Sequence, residues 1–589
     1  MLIITLSLSL AACGGSGGSG SAPPPGGGGG PNPPPPPPPP PSGAFKDEQG
    51  TARFLSQATF GTNMEQIDNL TETLASQWFV DQLSIPPSYN LAIVNNAASQ
   101  PGAFIPGEGF TVAVRQLPTD LFWKNAIEGD DQLRQRMSFA LSQIIVASHR
   151  EGNLLFELPF TFAHYQDILT ENALGNYRDL LEDITYSPAM GYYLTYFQNT
   201  KGDPVTGRMP DENYAREVMQ LFSIGLVELN MDGTVKTDGQ GNPLETYDNV
   251  DVSGMAKVFT GFSLDHPDFY PQRDALELSD YSSPMKIFDE YHSDLEKSFL
   301  GTTIPAGTNG TQSVDQALDA LVDHPNTPPF VARQIIQRFV TSHPEPAYVE
   351  RVATAFANGS YTLPDGTAVG DGRRGDLAAT LAAVLFDDEA REAGGFDGDD
   401  FGKVREPVLR FTQWARAFDA NTVTPEYTLI LFNTSSNDAL AQAPFKSPSV
   451  FNFYRPGYIA PGTETGDAGL TMPEMQLVNA ASISGYANFM TYFSLELLAD
   501  GAQGPGMNSF RPDYSDEIAL ADDPAALVER LDLLLVNGSM SQESKDTIIA
   551  ILEDLPLENA NDPNYDGPRF RTQLAVVLVM TAPDYIVQR

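Results

Sequence analysis

Leu133-Arg134-Gln135-Arg136-Met137, continuing to Ser148, is the stretch whose reading decides the fold. Its apolar residues Leu133, Met137, Ala140, Leu141 and Ile144 recur at steps of three and four, which places them on one face of a helix with 3.6 residues per turn. The same pattern recurs around Met64–Leu83, Tyr165–Leu174, Tyr214–Leu226, Pro329–Val340, Leu377–Phe386, Val404–Phe418, Glu474–Leu498, Pro524–Leu535 and Phe570–Met580. Ser541, and Asp523 followed by Pro524, read as helix starts, because a short polar side chain satisfies the first backbone N–H groups and proline tolerates the first helical position. Strand signals are few and short, Phe110–Val114 being one. The chain therefore predicts an all-α body with long loops and at most a small β-hairpin. That hairpin is placed in Asn230–Asn249, where Asp-Gly and Gly-Gln-Gly mark turns. Thr302–Thr311 and Gly359–Gly375 read as polar loops.

Composition narrows the class. The 589 residues include 34 Lys+Arg and 76 Asp+Glu, a formal charge of −42. Such an excess argues against nucleic acid or an anionic membrane surface as a partner, since phosphate binding needs basic stripes. With 41% hydrophobic residues there is ample material for a core. Cys13 is the sole cysteine, which excludes disulfides within the chain and cysteine-ligated metal clusters.

The N-terminus speaks to location. Leu2 to Ala12 is an apolar run too short for a membrane span, which needs about 20 residues, so residues 1–12 read as a signal peptide. It ends in Leu10-Ala11-Ala12-Cys13, which resembles the bacterial lipobox; that resemblance implies cleavage before Cys13 and acylation of its thiol. No Lys or Arg precedes the run, a departure that an initiation site further upstream would explain. Gly14 follows, without the Asp associated with inner-membrane retention, and this points to the outer membrane. Residues 13–44 are otherwise a Gly/Ser/Pro-rich linker with nothing to bury, expected to be disordered. Its Pro33–Pro41 run should form a stiff rod of roughly 28 Å at about 3.1 Å per residue. Residues 45–589 are expected to form the helical domain.

Within that domain, Asp211-Glu212-Asn213-Tyr214-Ala215-Arg216-Glu217-Val218-Met219-Gln220-Leu221-Phe222-Ser223-Ile224-Gly225 resembles the signature N-E-N-[FY]-A-R-E-L-M-E-L-F-T-L-G of the DUF1800 family of exported bacterial proteins. Phe259-Thr260-Gly261-Phe262, His292 with Glu296 to Gly301, His324-Pro325-Asn326-Thr327, Lys446-Ser447-Pro448 leading to Asn452-Phe453-Tyr454, and the closing Thr581 to Tyr585 match as well. The resemblance implies export but no particular activity or cofactor. It also implies a possible partner, because members are often encoded beside a second exported family, DUF1501, which looks sulfatase- or phosphatase-like. One departure matters: many members carry W-H-x-H-F after an Arg-Met pair, whereas Arg136-Met137 here leads to Leu141-Ser142-Gln143-Ile144-Ile145. If those histidines bind a metal elsewhere, that pair is missing in this chain.

Candidate chemistry centres on the signature. Asn213, Arg216, Glu217 and Gln220 stand three or four residues apart and can share a helix face, with Glu217 as acid/base and Arg216 and Asn213 holding substrate. The competing reading is that Arg216 and Glu217 form structural ion pairs. His292, within Asp289-Glu290-Tyr291-His292-Ser293-Asp294, could act as a base; with Asp294 and Glu212 it is a weak metal-ligand candidate, though no metal is expected from the spacing. His324 reads as a helix cap, and Asp397-Gly398-Asp399-Asp400 as a solvated acidic loop. The aromatic pairs Tyr192-Tyr193 and Tyr196-Phe197, and the run Phe451 to Tyr454, could stack on sugars or simply pack. No nucleophile elbow, His-Glu-x-x-His, P-loop or dinucleotide fingerprint occurs. Two functions remain open: an extracytoplasmic hydrolase or group-transfer enzyme with a Glu/Arg/His cleft, and a non-enzymatic envelope scaffold that docks a DUF1501-type partner.

Overall fold

The helix that opens at Gln132 and closes at Ser142 is buried almost all round, Arg134 being its one half-exposed residue. Leu133, Met137, Ala140 and Leu141 face one hydrophobic core, while Phe139 on the other side joins a second. The helix thus divides two cores, and each fully buried Leu or Met contributes about 1.5–3 kcal/mol of apolar burial. The computed structural model describes residues 45, 47–272, 276–391, 400–420, 431, 433–496, 511–559 and 561–589. The leader, Cys13, the linker and all but the last residue of Asp397–Asp400 lie outside them.

The described residues are mostly helical and belong to one compact unit. The first core gathers the helices Pro159–Asn172, Tyr177–Tyr186, Asn213–Gln220, Asn249–Ala256, Gly310–Asp323, Thr327–Phe339, Pro346–Asn358 and Leu377–Leu385. The second takes Pro407–Ala417, Ala480–Ser494, Pro524–Leu531 and Gly567–Thr581, around the fully buried Trp123 and Trp414. The expected starts form: the Asp523 side chain accepts the Ala526 N–H with Pro524 in the first turn, and Ser541 accepts from Ser544.

Strands occur among the described residues as five two-stranded antiparallel ribbons. Three fall where the sequence reads differently. Phe110–Val114 is a strand only up to Phe110, and Val112–Glu128 is a helix. Its β-rich start is overridden because Val114, Pro118, Leu121 and Phe122 bury at steps of three and four along 17 residues. Thr302–Ile304 pairs with Lys297–Phe299, and Tyr361–Thr362 with Ala368–Val369, inside stretches that read as loops. Asn230–Asn249, by contrast, is held by isolated bridges (Leu229 with Val235, Thr237 with Pro243) rather than by a ladder. The helix Asn249–Ala256 lies so close to the Lys297–Phe299 strand that a Cβ on Gly254 would sit 1.8 Å from the Ser298 carbonyl oxygen. A ribbon between Lys403–Val404 and Val587–Gln588 fastens the C-terminus to the middle of the chain.

Candidate functional site

The signature forms a helix from Asn213 to Gln220, shorter than its apolar pattern suggests. Asp211 starts it by accepting the Asn213 N–H at 2.8 Å. Tyr214, Ala215, Val218 and Met219 supply the buried face, and the Tyr214 ring stacks on Tyr196 with centroids 4.2 Å apart. Beyond Gln220 the chain turns out of the helix, with the Ile224 and Gly225 N–H groups both reaching the Met219 carbonyl. Gly225 sits at φ 71°, where a Cβ would also strike the Phe330 ring at 2.7 Å, so the turn requires glycine. Asn326, fully buried, then clamps the outgoing chain by donating to the carbonyls of Ile224 and Val227 and accepting from the Leu229 N–H.

On this helix Arg216 and Glu217 do not act as one pair. Arg216 lies 3.6 Å from Glu212, and both are 40% exposed. Glu212 also accepts a hydrogen bond from Ser253 at 2.7 Å. Asn213 is exposed and reaches Thr195 Oγ1 at 3.4 Å. Glu217 is 9% exposed, and its Oε2 has no hydrogen-bond partner among the described residues. Burial pushes its carboxyl above the ordinary value, against the opposing pull of Arg216. Two tyrosines share its field: Tyr193, raised by burial and by Glu217, and Tyr247, whose hydroxyl donates to Gln220 Oε1 at 3.2 Å. The helix therefore presents a carboxyl poised to hold a proton, flanked by phenols.

The facing wall comes from the Lys446–Gly457 segment. Ser148 Oγ donates to the Ser447 carbonyl at 2.9 Å, and the His149 N–H to the Phe445 carbonyl at 2.7 Å, which fixes this segment on the core. The Ser447 side chain adjoins the Tyr193 phenol. Lys446, almost fully buried, faces Glu151 at 3.5 Å, and burial lowers its ammonium to about 8. Between the two walls lies a cavity of about 370 Å³ lined by Gln143, Gln220, Leu221, Phe330, Gln334, Phe451 and Tyr454 among others.

Gln143 links this cavity to a fully buried ionic cluster. Lys403 Nζ stands 3.4 Å from Glu474 and 3.9 Å from Glu406, and all three side chains are 0–1% exposed. Gln143 and Gln442 each donate to Glu406 Oε2 at 2.6 Å. Although burial opposes its charged form, Lys403, Arg136 and these amides together hold the Glu406 carboxyl below its ordinary value; burial raises that of Glu474 against Lys403. The cluster thereby sets the orientation of Gln143 at the cavity.

His292 is placed elsewhere. It is 3% exposed, with Nδ1 2.9 Å from the Thr260 carbonyl oxygen and Nε2 3.3 Å from Ser313 Oγ, and burial lowers its pKa. The groups acting on it (Thr260, Ser313, Lys297, Asp289 and Asp294) include none of those acting on Glu217, and His292 is not among the residues that line the cavity beside the signature helix. Asp294 pairs with Lys201 at 3.7 Å rather than with His292 or Glu212. Among the described residues no three His, Cys, Asp or Glu side chains are grouped to hold a metal. His324 Nδ1 accepts the Asn326 N–H at 3.2 Å, a bond to nearby backbone. A larger cavity of about 560 Å³, lined by Gln66, Glu128, Asp130, Arg416 and Asp419 among others, holds none of the residues the sequence singles out.

Sequence reasoning passed over Gln143, Gln334 and Tyr247. Gln143 carried a signal, since it lies in the segment where the chain departs from the W-H-x-H-F pattern; glutamines on buried helices otherwise carry none.

An all-α protein with a buried carboxyl on a short helix, whose C-terminal end lines a largely apolar cavity, is the class that fold and site define. The chain belongs to the DUF1800 family, proteins of unknown function, whose model matches residues 53–587. No curated protein and no solved structure matches it.

Proposed function

We propose that this protein is an acid–base enzyme of the bacterial cell envelope, hydrolytic or group-transferring, in which Glu217 exchanges a proton with the substrate. One observation carries the reading: Glu217 Oε2 is enclosed with no partner among the described residues, at a cost of about 1–3 kcal/mol that a purely structural carboxyl would avoid by pairing. A carboxyl raised by burial keeps its proton to higher pH than a solvated one and can donate and recover it. Tyr193 and Tyr247 can relay or steady that proton, while Arg216 and Asn213, on the exposed side of the helix, hold the substrate. His292 contributes through the fold, since both ring nitrogens are already engaged.

The envelope setting rests on the Leu10–Cys13 motif, with Cys13 acylated and the linker acting as a tether, most naturally on the outer membrane. A DUF1501-type partner is compatible with this arrangement. The test is turnover of a panel of chromogenic esters, glycosides, phosphates and peptide amides by the full-length protein and by Glu217→Gln. Turnover by the wild type that falls at least a hundredfold in the variant supports the reading; equal turnover by both removes Glu217 from the chemistry.

A further inference from the structure

Three residues lining the 370 Å³ cavity carry a buried side-chain polar atom with no hydrogen-bond partner among the described residues: Gln143, Gln334 and Tyr454, the last with its phenol in the field of Glu406. Gln143 is 6% exposed; its amide nitrogen is committed to Glu406, so Oε1 is left as a bare acceptor. Gln334 is 5% exposed, and its Nε2 is a bare donor. Most buried polar atoms in folded proteins are paired, and the two amide atoms at this one cavity call for a ligand that completes them. The walls beside them, Ile144, Leu221, Phe330 and Val450, are apolar.

One acceptor and one donor inside apolar walls match a ligand that brings one N–H and one C=O. A sugar ring brings several hydroxyls, most of which such walls would leave unpaired. We propose that this cavity binds a peptide segment, whose backbone N–H meets Gln143 Oε1, whose C=O meets Gln334 Nε2, and whose apolar side chain packs on Ile144, Leu221 and Phe330. The volume lies at the small end of ligand pockets, about 300–1,000 Å³, and so admits a short segment. At the mouth Arg455, exposed and 4.5 Å above the Phe451 ring, offers a cation to a carboxylate on the same peptide. The binding stands on these atoms alone. Together with the reading of Glu217 it names the substrate class, because Gln220 lines the cavity while bonding the Tyr247 that Glu217 influences.

The experiment is calorimetric titration of the full-length protein with N-acetyl-leucyl-phenylalaninamide. Saturable binding is expected, weakened about tenfold or more in Gln334→Met. That variant should unfold at the same or a higher urea concentration than the wild type, because it removes a stranded donor. Glu217→Gln should bind as the wild type does, so loss of turnover and loss of binding are read separately. Absence of binding to the wild type, unchanged binding by Gln334→Met, a lowered urea midpoint in that variant, or tighter binding of the amide-free glycan cellotetraose would each overturn the proposal.

Discussion

Replacing Lys403 with Met removes the one ammonium between Glu406 and Glu474 while keeping the side chain's length. Its Nζ donates to the carbonyls of Gln337 and Arg338 at 2.9 Å each, besides facing both carboxylates. Taking one partner from a buried ion pair costs about 3–5 kcal/mol, because the remaining charge is stranded. Two carbonyls also lose a donor, which places the expected loss near the top of that range, about 5 kcal/mol, comparable to the whole stability of many domains. Urea unfolding followed by the fluorescence of the buried Trp123 and Trp414 measures it. The pH dependence supplies a second check. The Glu406 carboxyl is held below its ordinary 4.5 in the folded state, so its contribution is present above that value and is lost as pH falls through the folded one. In Lys403→Met the largest part of that contribution is gone, leaving Arg136 and the two amides to oppose the carboxylates, so the gap to wild type should be widest at neutral pH and narrow below about 4.5. A loss under about 1 kcal/mol, or an equal gap at pH 4 and pH 7, refutes this reasoning.

Other outcomes follow from single groups. His149 is fully buried, stacked 4.7 Å from Phe162, with neither ring nitrogen bonded among the described residues, and burial holds its pKa well below 6.5. Its stabilising effect is therefore complete above 6.5 and is lost as pH falls toward the folded value, so His149→Phe should flatten the decline in unfolding midpoint between pH 7 and pH 5; parallel declines in the two proteins would show that the residue does not titrate this way. Cys13→Ser should move the protein from the membrane pellet to the soluble fraction of a cell lysate, and unchanged pelleting would count against the lipid anchor.

Much of the architecture is legible because helical burial leaves a periodic trace. The Leu133–Ile144 pattern reports the first core directly, and the Asp523-Pro524 start reports backbone groups that need satisfying. Short ribbons leave no such trace: two or three residues per strand are too few to establish an alternation, so Thr302–Ile304 and Lys403–Val404 are invisible until their partners are in place. The β-rich residues around Val112 mislead for the opposite reason, since a long buried helix overrides local preference. At the site, the signature points to Glu217, yet its surroundings come from Tyr193, Tyr247 and Ser447, which lie 24, 30 and 230 residues away. His292 attracts notice through its acidic neighbours in sequence, but folding buries its ring against Thr260 and Ser313 instead.

The reading of the site depends most on whether Glu217 is a carboxyl that the fold leaves unpaired. Urea unfolding of wild type and Glu217→Gln at intervals from pH 4 to pH 8 asks this directly. A folded pKa raised above the unfolded value means that ionisation penalises the native state increasingly as pH rises past about 4.5. Glu217→Gln should therefore gain stability relative to wild type from pH 4 to pH 7. A variant that instead loses stability relative to wild type as pH rises would reveal a carboxylate satisfied by a structural partner.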